Sequence, residues 1–132
     1  MKTKILCSHC NHSINVGEDI VLVAKNAKGE KGLVFLHSEL GNYSSKFSPD
    51  FNTTEGESVK FSCPICHENL TNLRNEHLAD VILIDENNKR FQINFSKIYG
   101  EKCTYKIEEE VIIDTYGEHW SLYQSPDWFQ FF

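Results

Sequence analysis

Apolar residues fall in short runs, and polar stretches bearing glycine, asparagine or serine separate them. The clearest run pair is 81–84 and 90–95, flanking the polar segment 85–89. In the second run Phe91, Ile93 and Phe95 alternate onto one face, which predicts a β-hairpin. Residues 20–24 and 33–36 predict a second hairpin, with 25–32 as its glycine-bearing tip. Shorter strands are expected at 5–6, at 14–16, at 59–62, and around 105–107 and 111–113. Residues 38–58 are polar and turn-rich and read as an irregular connection, pinned to the core by Phe47 and Phe51. Leu70, Leu73 and Leu78 recur at helical spacing, so one or two helical turns are expected after Thr71 as N-cap. No long helical period appears elsewhere. The fold class predicted is mainly β, with antiparallel hairpins and at most those helical turns.

A chain of 132 residues suits a single domain. The expected division is a lobe over about 1–78 and a β-rich lobe over about 79–132. No stretch approaches the 18 or so apolar residues of a membrane span, so no membrane association is expected. The net charge of −6 is unevenly placed. Residues 1–100 hold 12 acids and 11 bases, whereas residues 101–132 hold 7 acids and 2 bases. The acidity therefore belongs to the C-terminal quarter. It disfavours a phosphate backbone and suits a basic protein partner or plain solubility. The same quarter carries Trp120, Tyr123, Trp128, Phe129, Phe131 and Phe132. These read as core filling first, and as an exposed aromatic anchor second.

Four of the five cysteines stand in two Cys-x-x-Cys hooks, Cys7/Cys10 and Cys63/Cys66. At that spacing two thiolates on one tight turn reach the same ion, and two such turns supply a tetrahedral four-sulfur shell. The hooks resemble the paired knuckles of zinc-ribbon, or rubredoxin-like, folds over about residues 7–16 and 59–70. Members of that group commonly place glycine after the second cysteine. Here Asn11 and His67 stand there, both tolerant of a left-handed backbone. The 52 residues between Cys10 and Cys63 exceed the compact spacing. Lengthening a loop to that extent costs only about 1 kcal/mol, against roughly 10–16 kcal/mol from structural zinc. No apolar leader precedes Cys7, so a reducing, cytoplasmic setting is expected, where paired hooks hold metal rather than disulfides. The expected metal ligands are Cys7, Cys10, Cys63 and Cys66, with Zn2+ in a closed structural shell; iron fits the same shell. His9, His12 and His67 lie close by and read as polar surface.

Three functions follow in order. The first is a non-catalytic zinc module that binds a protein partner through its acidic, aromatic C-terminal region, as an adaptor or an inhibitor or immunity protein would. The second is nucleic-acid or ribosome contact through Lys25, Lys28 and Lys31 at the first hairpin tip, an analogy at the level of the fold. The third is an enzyme using Cys103 as nucleophile with His119 and Glu118 downstream. The expectation is that the chain is not an enzyme. No nucleotide fingerprint or HExxH pattern is present.

Overall fold

The computed structural model describes residues 3–122 and the backbone of 130–131. Among them the chain forms β1 (Lys4–Cys7), β2 (Asn15–Val16), β3 (Asp19–Lys25), β4 (Lys31–His37), β5 (Ser45–Phe47) and β6 (Lys60–Ser62). It continues with β7 (Leu78–Ile84), β8 (Arg90–Ser96), β9 (Thr104–Glu108), β10 (Val111–Tyr116) and β11 (Gln130–Phe131). One sheet has the order β1-β7-β8-β9-β10-β11, antiparallel except for the parallel pair β10–β11. The other has the order β2-β3-β4-β5, with β6 also on β3. The described residues contain no helix.

The two sheets are joined by exchanged arms. β4 pairs along all of β3, so β2 and β6 share the remaining edge end to end: Asn15 opposes Ile20, and Ser62 opposes Val23. β7 repeats this arrangement. β8 takes one edge, while β1 and the segment around Thr71 divide the other, with Cys7 opposite Val81 and Thr71 opposite Ala79. Each cysteine hook therefore sends one arm to each sheet.

Closer registration shows that the chain contains one unit twice. The Leu6–Ser13 bridge recurs as Ser62–Asn69, and the Ile14 N–H to Ile5 bond recurs as Leu70 N–H to Phe61, both displaced by 56 positions. From β3 onward the displacement is 59: Val34 pairs with Phe47 as Ile93 pairs with Lys106. The hairpin tips match as well. Asn26 Oδ1 accepts the N–H groups of Lys28 and Glu30, and Asp85 Oδ1 accepts those of Asn87 and Lys89. Gly29 and Asn88 then occupy the same left-handed position, at φ 85° and 66°. The second unit goes on to β10 and β11, for which the first has no counterpart.

Inward-facing residues of both sheets make one core that includes Leu22, Val34, Phe61, Leu70, Val81 and Ile93. A smaller cluster of Leu78, Cys103, Tyr105, Ile107 and Ile112 lies on the other face of the longer sheet.

Both predicted hairpins and the flanking short strands form. The helical turns after Thr71 do not. Asn72 Oδ1 takes the N–H groups of Arg74 and Asn75, which closes a tight turn that competes with helix. Leu73 projects fully into solvent while Leu70 and Leu78 are buried, so the three leucines share no face. This turn holds the three extra residues that change the displacement from 56 to 59. The expected irregular connection over 38–58 also contains a strand, β5. Its Phe47 stacks on Phe51 at 5.3 Å, and Phe51 is buried against Gly32, where a Cβ would lie 2.6 Å from that of Phe51. Glu109 and Glu110 are the two left-handed residues of the β9–β10 turn, at φ 50° and 68°. Trp120 is half-exposed and Phe131 lies in β11; Tyr123, Trp128, Phe129 and Phe132 lie outside the described residues.

Candidate metal centre

Each hook is closed by the same pair of backbone bonds. Cys7 N–H donates to His12 O and Asn11 N–H to Cys7 O; Cys63 N–H donates to Glu68 O and His67 N–H to Cys63 O. The turn forces the residue after the second cysteine into the left-handed region, and Asn11 and His67 adopt φ 60° and 65° there. Inside each turn two N–H groups point at the first sulfur. His9 and Cys10 donate to Cys7 Sγ at 3.3 and 3.4 Å, and Ile65 and Cys66 to Cys63 Sγ at 3.3 and 3.5 Å. Such bonds favour thiolate over thiol and fix the direction of the sulfur.

The fold brings the two hooks face to face. All four sulfurs lie within 4.8 Å of one another. Cys7 Sγ is 3.7 Å from Cys66 Sγ, and Cys10 Sγ is 3.8 Å from Cys63 Sγ. A disulfide needs about 2.05 Å. A tetrahedron of sulfurs about 2.3 Å from a central zinc has an edge of about 3.8 Å. The spacing thus fits four ligands around one ion, and the cysteines predicted from sequence form a set that could hold a metal. Cys7 and Cys63 are fully buried, whereas Cys10 and Cys66 are half-buried.

The sulfurs differ in their electrostatics, the Cys7 and Cys66 thiols lying above the ordinary range and Cys63 below it. Burial pushes the Cys7 thiol up to about 12, against the N–H groups of Cys10 and His9. At Cys63 burial also raises the thiol. There, however, the N–H groups of Cys66 and Ile65 and the thiols of Cys7 and Cys66 outweigh it, bringing Cys63 down to about 7. One sulfur of the cluster can ionise readily, but four adjacent thiolates need a cation among them.

Around the sulfurs, side chains tie one hook to the other and to β7 and β8. His9 Nε2 lies 3.2 Å from Asn69 O, Ser8 Oγ donates to Asp80 O at 3.4 Å, and Arg90 donates to Asn11 Oδ1 at 2.8 Å. His12 and His67 are exposed.

Cys103 lies apart, fully buried in the smaller cluster, and burial raises its thiol above the ordinary range. That is the opposite of nucleophile activation. His119 Nδ1 accepts the Lys102 N–H at 2.9 Å, and its Nε2 lies 3.9 Å from Glu118. Lys25, Lys28 and Lys31 are exposed at the β3–β4 tip as expected.

Sequence reading missed the polar cluster behind β7. Asp80 Oδ1 accepts the side-chain amides of Asn72, at 3.0 Å, and Asn94. Burial raises Asp80 to about 6, against hydrogen bonds from Asn72 and Gln92. Its only trace in the sequence is a single acid before an apolar run.

Comparison with protein-family models, with curated proteins and with solved structures gave no match.

Proposed function

We propose that this chain is a non-catalytic structural zinc protein in which Cys7, Cys10, Cys63 and Cys66 bind one Zn2+ and the rest of the domain serves as a protein-interaction module. The observation that carries the zinc reading is the sulfur spacing of 3.7 and 3.8 Å across the hooks. Four protein ligands close the shell and leave no position for a water or substrate, so the ion acts in folding rather than in chemistry. Its site, at the junction of arms exchanged between two sheets, is where a bond between chain-distant segments stabilises most. A reducing, cytoplasmic compartment suits four free thiols.

For the partner, the supporting feature is the surface that follows β9. Within residues 109–122, Glu109, Asp114 and Glu118 are exposed, and Ile113, Trp120 and Leu122 are 39, 44 and 53% exposed. A segment that exposes both carboxylates and apolar side chains fits a basic protein surface.

Elemental analysis of protein purified without added metal should return one zinc per chain, and Cys63→Ser should lose it together with the cooperative melt. One iron per chain would redirect the metal assignment; a metal-free protein of equal stability would overturn it. The partner reading is tested separately, by affinity capture from the native cell with the full chain and with an Asp114→Lys/Glu118→Lys variant. A basic protein held by the first and lost by the second supports it. Equal recovery on both chains overturns it while leaving the metal reading untouched.

A further inference from the structure

A cavity of about 640 Å³ lies between β4–β5 and β8–β9. Its walls come from equivalent positions of the two units: Val34 and Leu36 from β4, and Ile93 and Phe95 from β8. Ile5 and Phe61, again equivalent, reach it from the arms. Leu36, Phe47 and Phe95 are half-buried and present apolar surface to the cavity, with Val34 and Ile93 fully buried behind them. The volume falls within the range of small-molecule sites, roughly 300–1,000 Å³.

The mouth is polar and held in place. It runs between the β4–β5 loop and the β8–β9 loop. Tyr43 Oη pairs with Thr104 Oγ1 at 2.8 Å across the two sheets. Gly117 allows that contact, because a Cβ there would lie 2.6 Å from Tyr43 Oη and 2.2 Å from Lys102 O. The opening is therefore preformed rather than dependent on loop closure. Its charge has a sign. Glu39, Glu55, Glu101 and Glu118 border the cavity, against two lysines, Lys97 and Lys102, and two histidines, His37 and His119. An anionic head group would meet more carboxylates than cations here.

We propose that this cavity is a binding site for a small amphipathic amine, with its hydrocarbon body against Leu36, Phe47 and Phe95 and its ammonium among the carboxylates at the mouth. Apolar walls supply affinity through the area they remove from water, and the charged rim selects the head group. The site uses neither the metal nor Cys103 as a reactive group, so it stands or falls independently of the zinc reading.

The test uses a matched pair of probes, decylamine and decanoate, below their micelle concentrations with the full, metal-loaded chain at pH 7. Titration calorimetry should show saturable one-to-one binding of decylamine at least tenfold tighter than decanoate. Amide shifts in heteronuclear NMR should cluster at Leu36, Phe47 and Phe95. Leu36→Trp, which fills the cavity from its half-buried rim, should abolish binding with metal content unchanged. Should that variant fold poorly, Glu39→Gln/Glu118→Gln offers a second measurement and should erase the preference for the amine. Absence of saturable binding overturns the proposal. So does decanoate binding as tightly as decylamine, or shifts located away from the cavity.

Discussion

The first and second halves of this molecule follow the same path with largely different residues. Both begin with an arm, a cysteine hook and a return arm, then fold a hairpin and add a third strand. What the halves share is chemistry that geometry demands: sulfurs at the first and fourth positions of the hook, and an apolar residue, Ile14 or Leu70, seven positions after the first cysteine. They also share a side-chain oxygen, from Asn26 or Asp85, that closes the hairpin tip. Core residues are exchanged freely, Val34 for Ile93 and Ile5 for Phe61, because the inner face asks only for apolar volume. The outer faces diverge further. Val21 lies opposite Phe35 in the first half, whereas the corresponding pair in the second is Asp80 opposite Asn94. The comparison separates what holds the unit together from what each copy has been free to change.

The strongest way to break the comparison is to remove equivalent sulfurs. Cys10→Ser and Cys66→Ser should each abolish stoichiometric metal and most of the folding stability, since structural zinc supplies about 10–16 kcal/mol and a whole domain nets only about 5–15. Parallel thermal melts and metal analysis would show equal losses. A variant that kept its ion would mean that the hooks are not equivalent.

Asp80 is where the halves should respond differently to pH. Its carboxyl is raised from 3.8 to about 6 in the fold, so the folded chain holds that proton more tightly than the unfolded chain does. Its cost to stability is absent below about pH 4 and grows as pH rises through 6. Asp80→Asn should therefore stabilise by up to about 3 kcal/mol at pH 8 and by almost nothing at pH 4. Denaturant melts at both values check this. A pH-independent effect would show that packing, and not charge, governs the site.

The hairpin tips give a smaller effect. Asn26→Ala and Asp85→Ala each remove an oxygen that accepts two backbone N–H groups, worth about 1 kcal/mol. Asn26→Ala should cost about 1 kcal/mol more, because its amide also donates to Glu30 Oε1 and Asn52 O. Smallest of all, and of opposite sign, His67→Gly should stabilise by up to about 1 kcal/mol by relieving a left-handed non-glycine residue. Asn11→Gly, by contrast, also loses the Arg90 bond and should be near neutral. Chemical denaturation of metal-loaded protein would resolve both pairs.

Much of this organisation was legible in the sequence. Alternation at Phe91, Ile93 and Phe95 gave the second hairpin, and the hook spacing gave the cysteine cluster. The misread segment is instructive. Leu70, Leu73 and Leu78 imitate a helical stripe only because the second half inserts three residues there, with an asparagine that closes a turn. β5 escaped notice because a three-residue strand of two polar residues and Phe47 carries too little alternation to register. The duplication itself leaves few identical residues. Its signal was the same hook followed by the same delayed apolar position, displaced by 56. The cavity has no linear signature at all, since equivalent residues far apart in the chain line it.

The exchanged arms also settle how separable the halves are. Each sheet is edged by strands from both hooks, so neither half carries a complete sheet of its own. Thr54, Glu55 and Gly56 form an exposed stretch between them. A protease cutting there would release two fragments that remain laced through one another. The severed molecule should run as a single particle until its sulfurs are disturbed.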